Sequence, residues 1–533
     1  MRRRILCAAF LLGAISACSG DPTAPPDLRQ FPHSAATATD PLSNANRLPV
    51  SLEQKVRLLQ TDLEASGYEV ARGYWTLWGV GDCKYPIQLI GYCYGNNPTA
   101  PYVLAMVPRW KDEFADQRMH HVLTEARRNM SPNYRLDRQE ALVVLAELPP
   151  PGLYFGIQTN VFTREVALNT SDPIYQLTSS LDPVLQGILF GASPDPSRRM
   201  MVASIGNSTN NVVIASRTGQ SWQAGQQRFF VISPDAAMAE AMTSALVRAG
   251  VSSSNDVFTE PVAPGLVRVG LGREADDLIT YIRYARPNDD AAGERWRDQL
   301  PLTILRVRDA SGTRSPNPFA IPSYDQRTWN LDETVLAGDL QALVNAVRAQ
   351  WKQPGAATLP FFSAFRFLDL VGQHCLGYPN SNRGPMDCLG DTQDTDYQIS
   401  QSLKIDDGQV IAAVGTLATE TGNATYVSVS VNWFPLLVGV DDLSDTDLNG
   451  TAAAFAGAIQ RDDRLFYVHY LARDCTGLPH CLEIPRKLVP LGETIKLIQR
   501  NYVNPGSARG PDPTKLLNPV AIVLDGRSRP TIP

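Results

Sequence analysis

Leu52, Val56, Leu59 and Leu63 fall at three- and four-residue spacings, and the run stops at Gly67. That period is one face of an amphipathic helix, and Ser51-Leu-Glu-Gln54 has the form of a capping box at its start. The pattern then switches to β-branched and aromatic runs, which predict strands at 74–80, 86–90 and 102–107. A helix is expected over 111–128, and strands at 141–148 and 153–162 on either side of the Pro149-Pro-Pro151 turn. Further strands are expected at 211–216 and 228–232. Ser233-Pro234-Asp235 opens a helix, with Ser as N-cap and Pro in the first turn, that closes at Gly250. A strand at 266–270, a helix over 274–285 and a strand at 301–307 end the first half. The Pro- and Ser-rich stretch SGTRSPNPFAIPSYD, 311–325, interrupts the pattern. A long helix over 332–351 then leads a mostly β second half with strands at 409–417, 424–434 and 465–471.

Composition sets the scale. The chain has 533 residues, 44% hydrophobic and 19% charged, which is globular. Its body is too long for one ordinary core, so more than one domain is expected. The division reads as a leader over 1–17, a lipidated Cys and tether over 18–50, and an α+β domain over 51–310. A linker over 311–330 and a mostly β domain over 331–533 follow. The formal charge is −6, and removing the three Arg of the leader brings it near −9. An acidic body without a basic run argues against nucleic acid and against anionic membrane surfaces as partners.

The leader is the tightest motif. Met1-Arg-Arg-Arg4 is followed by an apolar run from Ile5 to Ala17, about 13 residues where a bilayer span needs roughly 20. The run reads as the h-region of a secretory signal. It closes on Ile15-Ser16-Ala17-Cys18, which resembles the lipobox of bacterial lipoprotein precursors, a likeness confined to about the first 20 residues. The resemblance implies that Cys18 is acylated and becomes the first residue of the mature chain, so that the lipid bilayer is a partner. Ser19 after the Cys resembles lipoproteins sent to the outer membrane. The Pro-, Ala-, Ser- and Thr-rich segment that follows has little to bury and is expected to serve as a tether.

Export puts the other cysteines in an oxidising compartment. Apart from Cys7 and Cys18 they form three close pairs, and local disulfides are expected at Cys83–Cys93, Cys375–Cys388 and Cys475–Cys481. Zinc is the competing reading, but no spacing is of the CxxC type.

Two echoes link the halves. CYGNNPTAPY (Cys93 to Tyr102) and CLGDTQDTDY (Cys388 to Tyr397) share Cys, Gly, an Asn or Asp, and Tyr at the first, third, fourth and tenth places. YFGIQTNVF (Tyr154 to Phe162) and YVSVSVNWF (Tyr426 to Phe434) share Tyr, Asn and Phe. Both members of the second echo follow an apolar run, 141–148 in one half and 410–417 in the other. A weaker third match sets Arg228-Phe-Phe-Val beside Arg464-Leu-Phe-Tyr. Together they point to duplicated β units, the first enlarged by helical insertions, although strand patterns of Tyr, Val and Phe also coincide by chance.

Chemistry is sparse. Asp391, Asp394 and Asp396 cluster where the first echo has Asn96, Asn97 and Thr99. Clustered carboxylates suit a hard cation, so calcium is the one cofactor candidate, against a plain solvated acidic turn. Asp445-Thr-Asp-Leu-Asn-Gly450 matches the first half of a calcium loop but has Ala456 where the bidentate Glu belongs, and Ser444-Asp-Thr-Asp447 reads better as a capping box. No GxSxG elbow or HExxH helix occurs, and nothing marks a nucleotide site. His374 and His480 each sit beside a Cys, and His120-His121 lies in the expected helical insertion. The dense aromatic set Tyr74, Trp75, Trp78, Tyr92 and Tyr94 could stack on carbohydrate if exposed, or fill a core.

These readings give an α+β or mostly β fold of antiparallel sandwich-like units, duplicated, with helical insertions in the first half. The function expected is that of a lipid-anchored extracytoplasmic envelope protein, ligand-binding or structural. The alternative is a secreted hydrolase acting on polysaccharide or another polymer through paired carboxylates such as Glu165, Glu420, Asp391 or Asp82.

Overall fold

The structure, a computed structural model, describes residues 48–529 except 117, 120–122, 125 and 381. The leader, Cys18, the tether with His33, and the His120-His121 pair lie outside the described residues.

α1 (Val50–Ala65) buries Leu52, Val56, Leu59 and Leu63, as their spacing predicts. It begins ahead of the expected capping box: Pro49 is the N-cap and no side chain caps it. β1 (Tyr68–Trp78) then runs through two sheet faces. Its first part pairs with β9 (Leu302–Asp309) and its second with β2 (Tyr102–Pro108). Gly73 sits at the change-over, where a Cβ would stand 2.3 Å from the Met106 carbonyl oxygen, so only glycine lets the strand pass.

The first half continues with β3 (Glu140–Glu147), β4 (Gly152–Glu165), β5 (Arg198–Ser204), β6 (Gln227–Ser233), β7 (Val257–Pro261) and β8 (Asp277–Pro287). Across the sheet the order is β7-β6-β3-β9-β1-β2-β8-β4-β5. The second half comprises β10 (Ala357–Pro360), β11 (Phe362–Ser363), β12 (Thr395–Ile399), β13 (Gln409–Thr416), β14 (Tyr426–Phe434), β15 (Val438–Ser444), β16 (Phe466–Ala472), β17 (Cys481–Glu483), β18 (Thr494–Tyr502) and β19 (Val520–Asp525). These form two sheets, β10-β19-β13-β16-β17 and β11-β12-β18-β14-β15.

The two orders are the same. β10 and β11 together stand for β1, broken at Phe361, and every later strand of the second half takes the place of its counterpart in chain order. All these pairings are antiparallel except β6–β7 and β16–β17, which are parallel in both halves. The fold is therefore α+β and mostly β, built from antiparallel units of one topology. The first two sequence echoes fall on equivalent strands. The third does not hold in register: Val143 pairs with Val231 and its equivalent Ala412 with Tyr470, so Val231 answers to Tyr470 rather than Tyr467.

Helices decorate the outer faces. α2 (Lys84–Ile90) occupies a stretch expected to be a strand; the chain coils there between Cys83 and Cys93 and stops at Gly91, φ +92°. α3 (Asn211–Thr218) is likewise helix instead of strand, because the Asn210 side chain accepts from the Val212 and Val213 amides and caps it. α4 (Ala236–Arg248) follows β6, capped by Asp235 rather than by Ser233. α5 (Ala337–Gln350) leads the second half after a 3-10 turn that Asp332 caps. Residues 111–128 form turns and irregular backbone where described, not a helix, and 266–270 is a turn rather than a strand. The largest correction is 274–285. This stretch is β8, whose Leu278 and Ile282 enter one core and Ile279 and Tyr281 another; burial on both faces mimics helical spacing.

α1 and α4 cover one face of the first sheet, and α5 covers the corresponding face of the second half. One core belongs to neither half alone. It joins Trp78, Leu104, Phe162 and Tyr281 to Val429, Val431, Tyr467 and Leu497.

Candidate functional site

The echoed Cys-x-Gly loops meet at this shared core, and each crosses to the other half. Cys93 N–H donates to the Leu436 carbonyl (2.7 Å) and Gly95 N–H to Leu437 (2.7 Å). Reciprocally, Cys388 N–H donates to Met201 (2.7 Å) and Gly390 N–H to Val202 (2.9 Å). The Asn96 side-chain oxygen accepts from Gly439 N–H (3.1 Å), and the Asp391 carboxylate accepts from Ser204 N–H (2.8 Å). Both loops turn through the left-handed region, at Tyr94 and Gly95 (φ +53° and +60°) and at Leu389 and Gly390 (φ +55° and +70°). Tyr94 and Leu389 adopt a conformation that L side chains disfavour, held by contacts with the opposite half. Disulfides Cys83–Cys93 and Cys375–Cys388 anchor the two loops. Cys475–Cys481 lies elsewhere and closes the connection between the parallel strands β16 and β17. The echo is thus duplicated scaffold, with its loops exchanged.

The three aspartates are interior parts of this scaffold. Asp391 also accepts from Ser204 Oγ (2.6 Å), Gly372 N–H (3.0 Å) and Gln393 Nε2 (2.6 Å). Asp394 accepts from Tyr154 O–H (2.9 Å) and Asn210 Nδ2 (3.2 Å). Asp396 accepts from Ser363 Oγ at 3.4 Å. All three are buried rather than solvated, and burial raises all three pKa values, Asp396 to about 6. Among the described residues no group of three or more His, Cys, Asp or Glu side chains is placed to hold a metal ion. Ser444 and Asp447 form the capping box expected of them.

Between the exchanged loops lies a cleft with mostly apolar walls, about 860 Å³ of empty space including its mouth. Tyr94, Gly95 and Tyr102 line it from one loop, Leu389, Gly390 and Tyr397 from the other, with Phe434, Leu437 and Ile498 between them. A smaller apolar pocket of about 410 Å³ is walled by Tyr102, Phe162, Val202, Tyr281 and Leu389, the counterparts of the cleft's Tyr397, Phe434, Leu437, Ile498 and Tyr94. The site is therefore duplicated along with the fold.

Three cations face the cleft: Arg283 and Arg500, each 4% exposed, and Lys496, 6% exposed. Arg283 on β8 and Arg500 on β18 are equivalent, since Arg283 pairs with Tyr102 and Arg500 with Tyr397. They also cross over: Arg283 reaches the Gly390 carbonyl (3.3 Å) and Arg500 the Gly95 carbonyl (2.5 Å). Among the described residues no Asp or Glu oxygen forms a salt bridge with any of the three. Burial pulls the Lys496 ammonium below its ordinary pKa. Asp391 is the one carboxylate in the lining; Glu165, Glu420 and Asp82 lie outside it. Of the aromatic set, Tyr74, Trp75, Trp78 and Tyr92 are buried, and Tyr94 alone borders the cleft. His469 is buried too, and burial lowers its pKa to about 4.

Sequence reading missed the cations. Their trace is an Arg inside an apolar strand, Tyr281-Ile-Arg283-Tyr284 and Ile498-Gln-Arg500-Asn501-Tyr502, where a fully buried Arg is rare.

No family model matches the chain. No curated protein matches it. Among solved structures, it is similar to an uncharacterised protein from Burkholderia cenocepacia, at 10% identity and a TM-score of 0.35, over 90% of this chain and 88% of that one. A likeness at that level carries no argument about function. No described helix is long and apolar enough to cross a membrane.

Proposed function

We propose that the protein is a lipid-anchored, extracytoplasmic ligand-binding protein of the bacterial envelope. Its ligand site is the cleft between the exchanged loops. The observation that carries this reading is the cleft's make-up: apolar walls, a few convergent polar groups, and a position at the junction of two units, which is where small-molecule sites concentrate. The disulfides support an oxidising compartment, and the Cys18 motif supports an acyl anchor.

Binding is tested with Nile red, a neutral dye that brightens in apolar surroundings. Saturable one-to-one binding is expected, and Ile498→Trp, which fills the cleft, is expected to abolish it while the melting temperature holds. A dye that does not bind, or that binds Ile498→Trp equally well, overturns the reading. For the anchor, mass spectrometry of the cell-derived protein is expected to find acyl chains on Cys18, and Cys18→Ser is expected to release it into the soluble fraction.

A further inference from the structure

Arg283 and Arg500 occupy equivalent positions but are not equally satisfied. The Arg500 guanidinium is held by a short bond to Ser430 Oγ and by the Gly95 carbonyl (2.5 Å). The residue equivalent to Ser430 in the first half is Gln158: Gln158 pairs with Tyr281, and Ser430 with Ile498. Its Nε2 turns instead to Asn160 Oδ1 (2.7 Å), the Tyr281 hydroxyl (2.8 Å) and the Asp391 carbonyl (2.9 Å). Its Oε1 is taken by Ser208 (2.6 Å). Arg283 is left with two long hydrogen bonds, to the Tyr281 hydroxyl (3.4 Å) and the Gly390 carbonyl (3.3 Å), and with the faces of Tyr102 and Tyr281 at 5.5 and 5.4 Å, while its Nε is buried without a hydrogen-bond partner. Among the described residues no carboxylate oxygen forms a salt bridge with Arg283; the buried Asp394 feels its charge but is held by Tyr154 and Asn210, and a buried guanidinium without a directly paired anion is costly. Arg remains charged in any surroundings, so it cannot escape by losing its proton.

We infer that the cleft takes an amphipathic monocarboxylate, its carboxylate on the Arg283 fork and its apolar chain along Tyr94, Leu389, Phe434 and Ile498. This rests on the cleft being the ligand site. The fork matches a carboxylate with two parallel hydrogen bonds, which a lone ammonium cannot supply. Lys496, beside Phe434 with its Nζ 4.6 Å from the ring, adds a second positive group to the lining. Asp391, the lining carboxylate, does not compete for Arg283, because its oxygens are engaged by Ser204, Gly372 and Gln393. The second unit's Arg500, already satisfied, is a scaffold residue.

The test is displacement of Nile red from the wild-type protein by decanoate, decanol, decylamine and inorganic phosphate. Decanoate is expected to displace the dye at a concentration on the order of tenfold or more below that of decanol, the scale of a hydrogen-bonded charge. Arg283→Gln is expected to erase that preference while dye and decanol still bind, and Arg500→Gln to keep it. Should Arg283→Gln not fold, the wild-type series still decides. Arg283→Lys, which loses the fork but not the charge, is then expected to weaken decanoate and leave decanol unchanged. Equal displacement by decanol, or better displacement by decylamine, overturns the carboxylate assignment and leaves the cleft reading intact. Displacement by phosphate alone marks a small-anion site and also overturns it. If the dye does not bind at all, the cleft reading falls and this inference falls with it.

Discussion

Asp387 lies next to Cys388 with no exposed surface, accepting from the Tyr92 hydroxyl (2.6 Å) and the Leu389 amide (2.8 Å). Burial pushes its pKa from 3.8 to about 7, the hydrogen bonds working the other way. Glu260, held by the Thr159 amide and hydroxyl, is likewise raised by burial to about 7. A carboxyl whose folded pKa exceeds its unfolded one binds its proton more tightly when folded. Its contribution to stability is present in full below the unfolded pKa and is lost as pH rises through the folded one. The melting temperature should therefore fall as pH climbs from about 4 to about 7. Asp387→Asn should flatten part of that slope in a pH series of thermal melts, and an unchanged slope would contradict the assignment. At this scale the sequence was uneven. The cysteine partners were legible because short separations make local closure the cheapest pairing. The role of Asp391 was not, since nothing in GDTQDTDY tells a solvated carboxylate from one accepting four buried donors.

α1 was legible because its burial is one-sided and leaves a stripe, whereas β3, β4, β13 and β14 are buried on both faces and were legible from their β-branched and aromatic runs. β8 was misread because Leu278, Ile282 and Ala285 fall at four- and three-residue spacings that also fit a helix, and α3 because its short Val212-Val213-Ile214 run fits either structure until Asn210 caps it. The disulfides act at this scale too. Each closes a short loop, which by the chain-entropy account is worth about 2–3 kcal/mol. Their effects on the cleft should differ. Replacing Cys375 and Cys388 by Ser, or Cys83 and Cys93, frees a loop that lines the site and should weaken Nile red binding as well as lower the melting temperature. Replacing Cys475 and Cys481 should lower the melting temperature comparably and leave binding alone, because that loop bridges β16 and β17 away from the cleft. Equal loss of binding in all three would mean that the effect is global rather than local.

For the molecule as a whole, duplication was visible only in outline. The first echo survives where residues make the exchange, in Cys-x-Gly, whose amides bond to the opposite half, and it ends on the Tyr that pairs across from Arg283 or Arg500; the second lies on β4 and β14, the strands paired with β8 and β18. Elsewhere any apolar residue serves, and the record is erased. The exchange itself has no sequence signature, because it concerns which half a loop touches. It makes a definite demand on stability, however. If each half were self-sufficient, cutting the exposed segment at 311–316 would let them part. Instead the halves share a core and trade loops through Asn97 to Ser428 (3.2 Å), Thr99 to Asp442 (2.6 Å) and Gln158 to the Asp391 carbonyl (2.9 Å). Separation would expose that core and strip partners from buried polar groups, a penalty of several kcal/mol for the polar groups alone. A protease site inserted after Gly312 and cut in the folded protein should therefore leave two fragments that co-elute on size exclusion and melt as one unit. The fragments should separate only in denaturant. Fragments that part under native conditions, each keeping its own sharp melt, would show that the exchanged loops are ornaments on two independent domains.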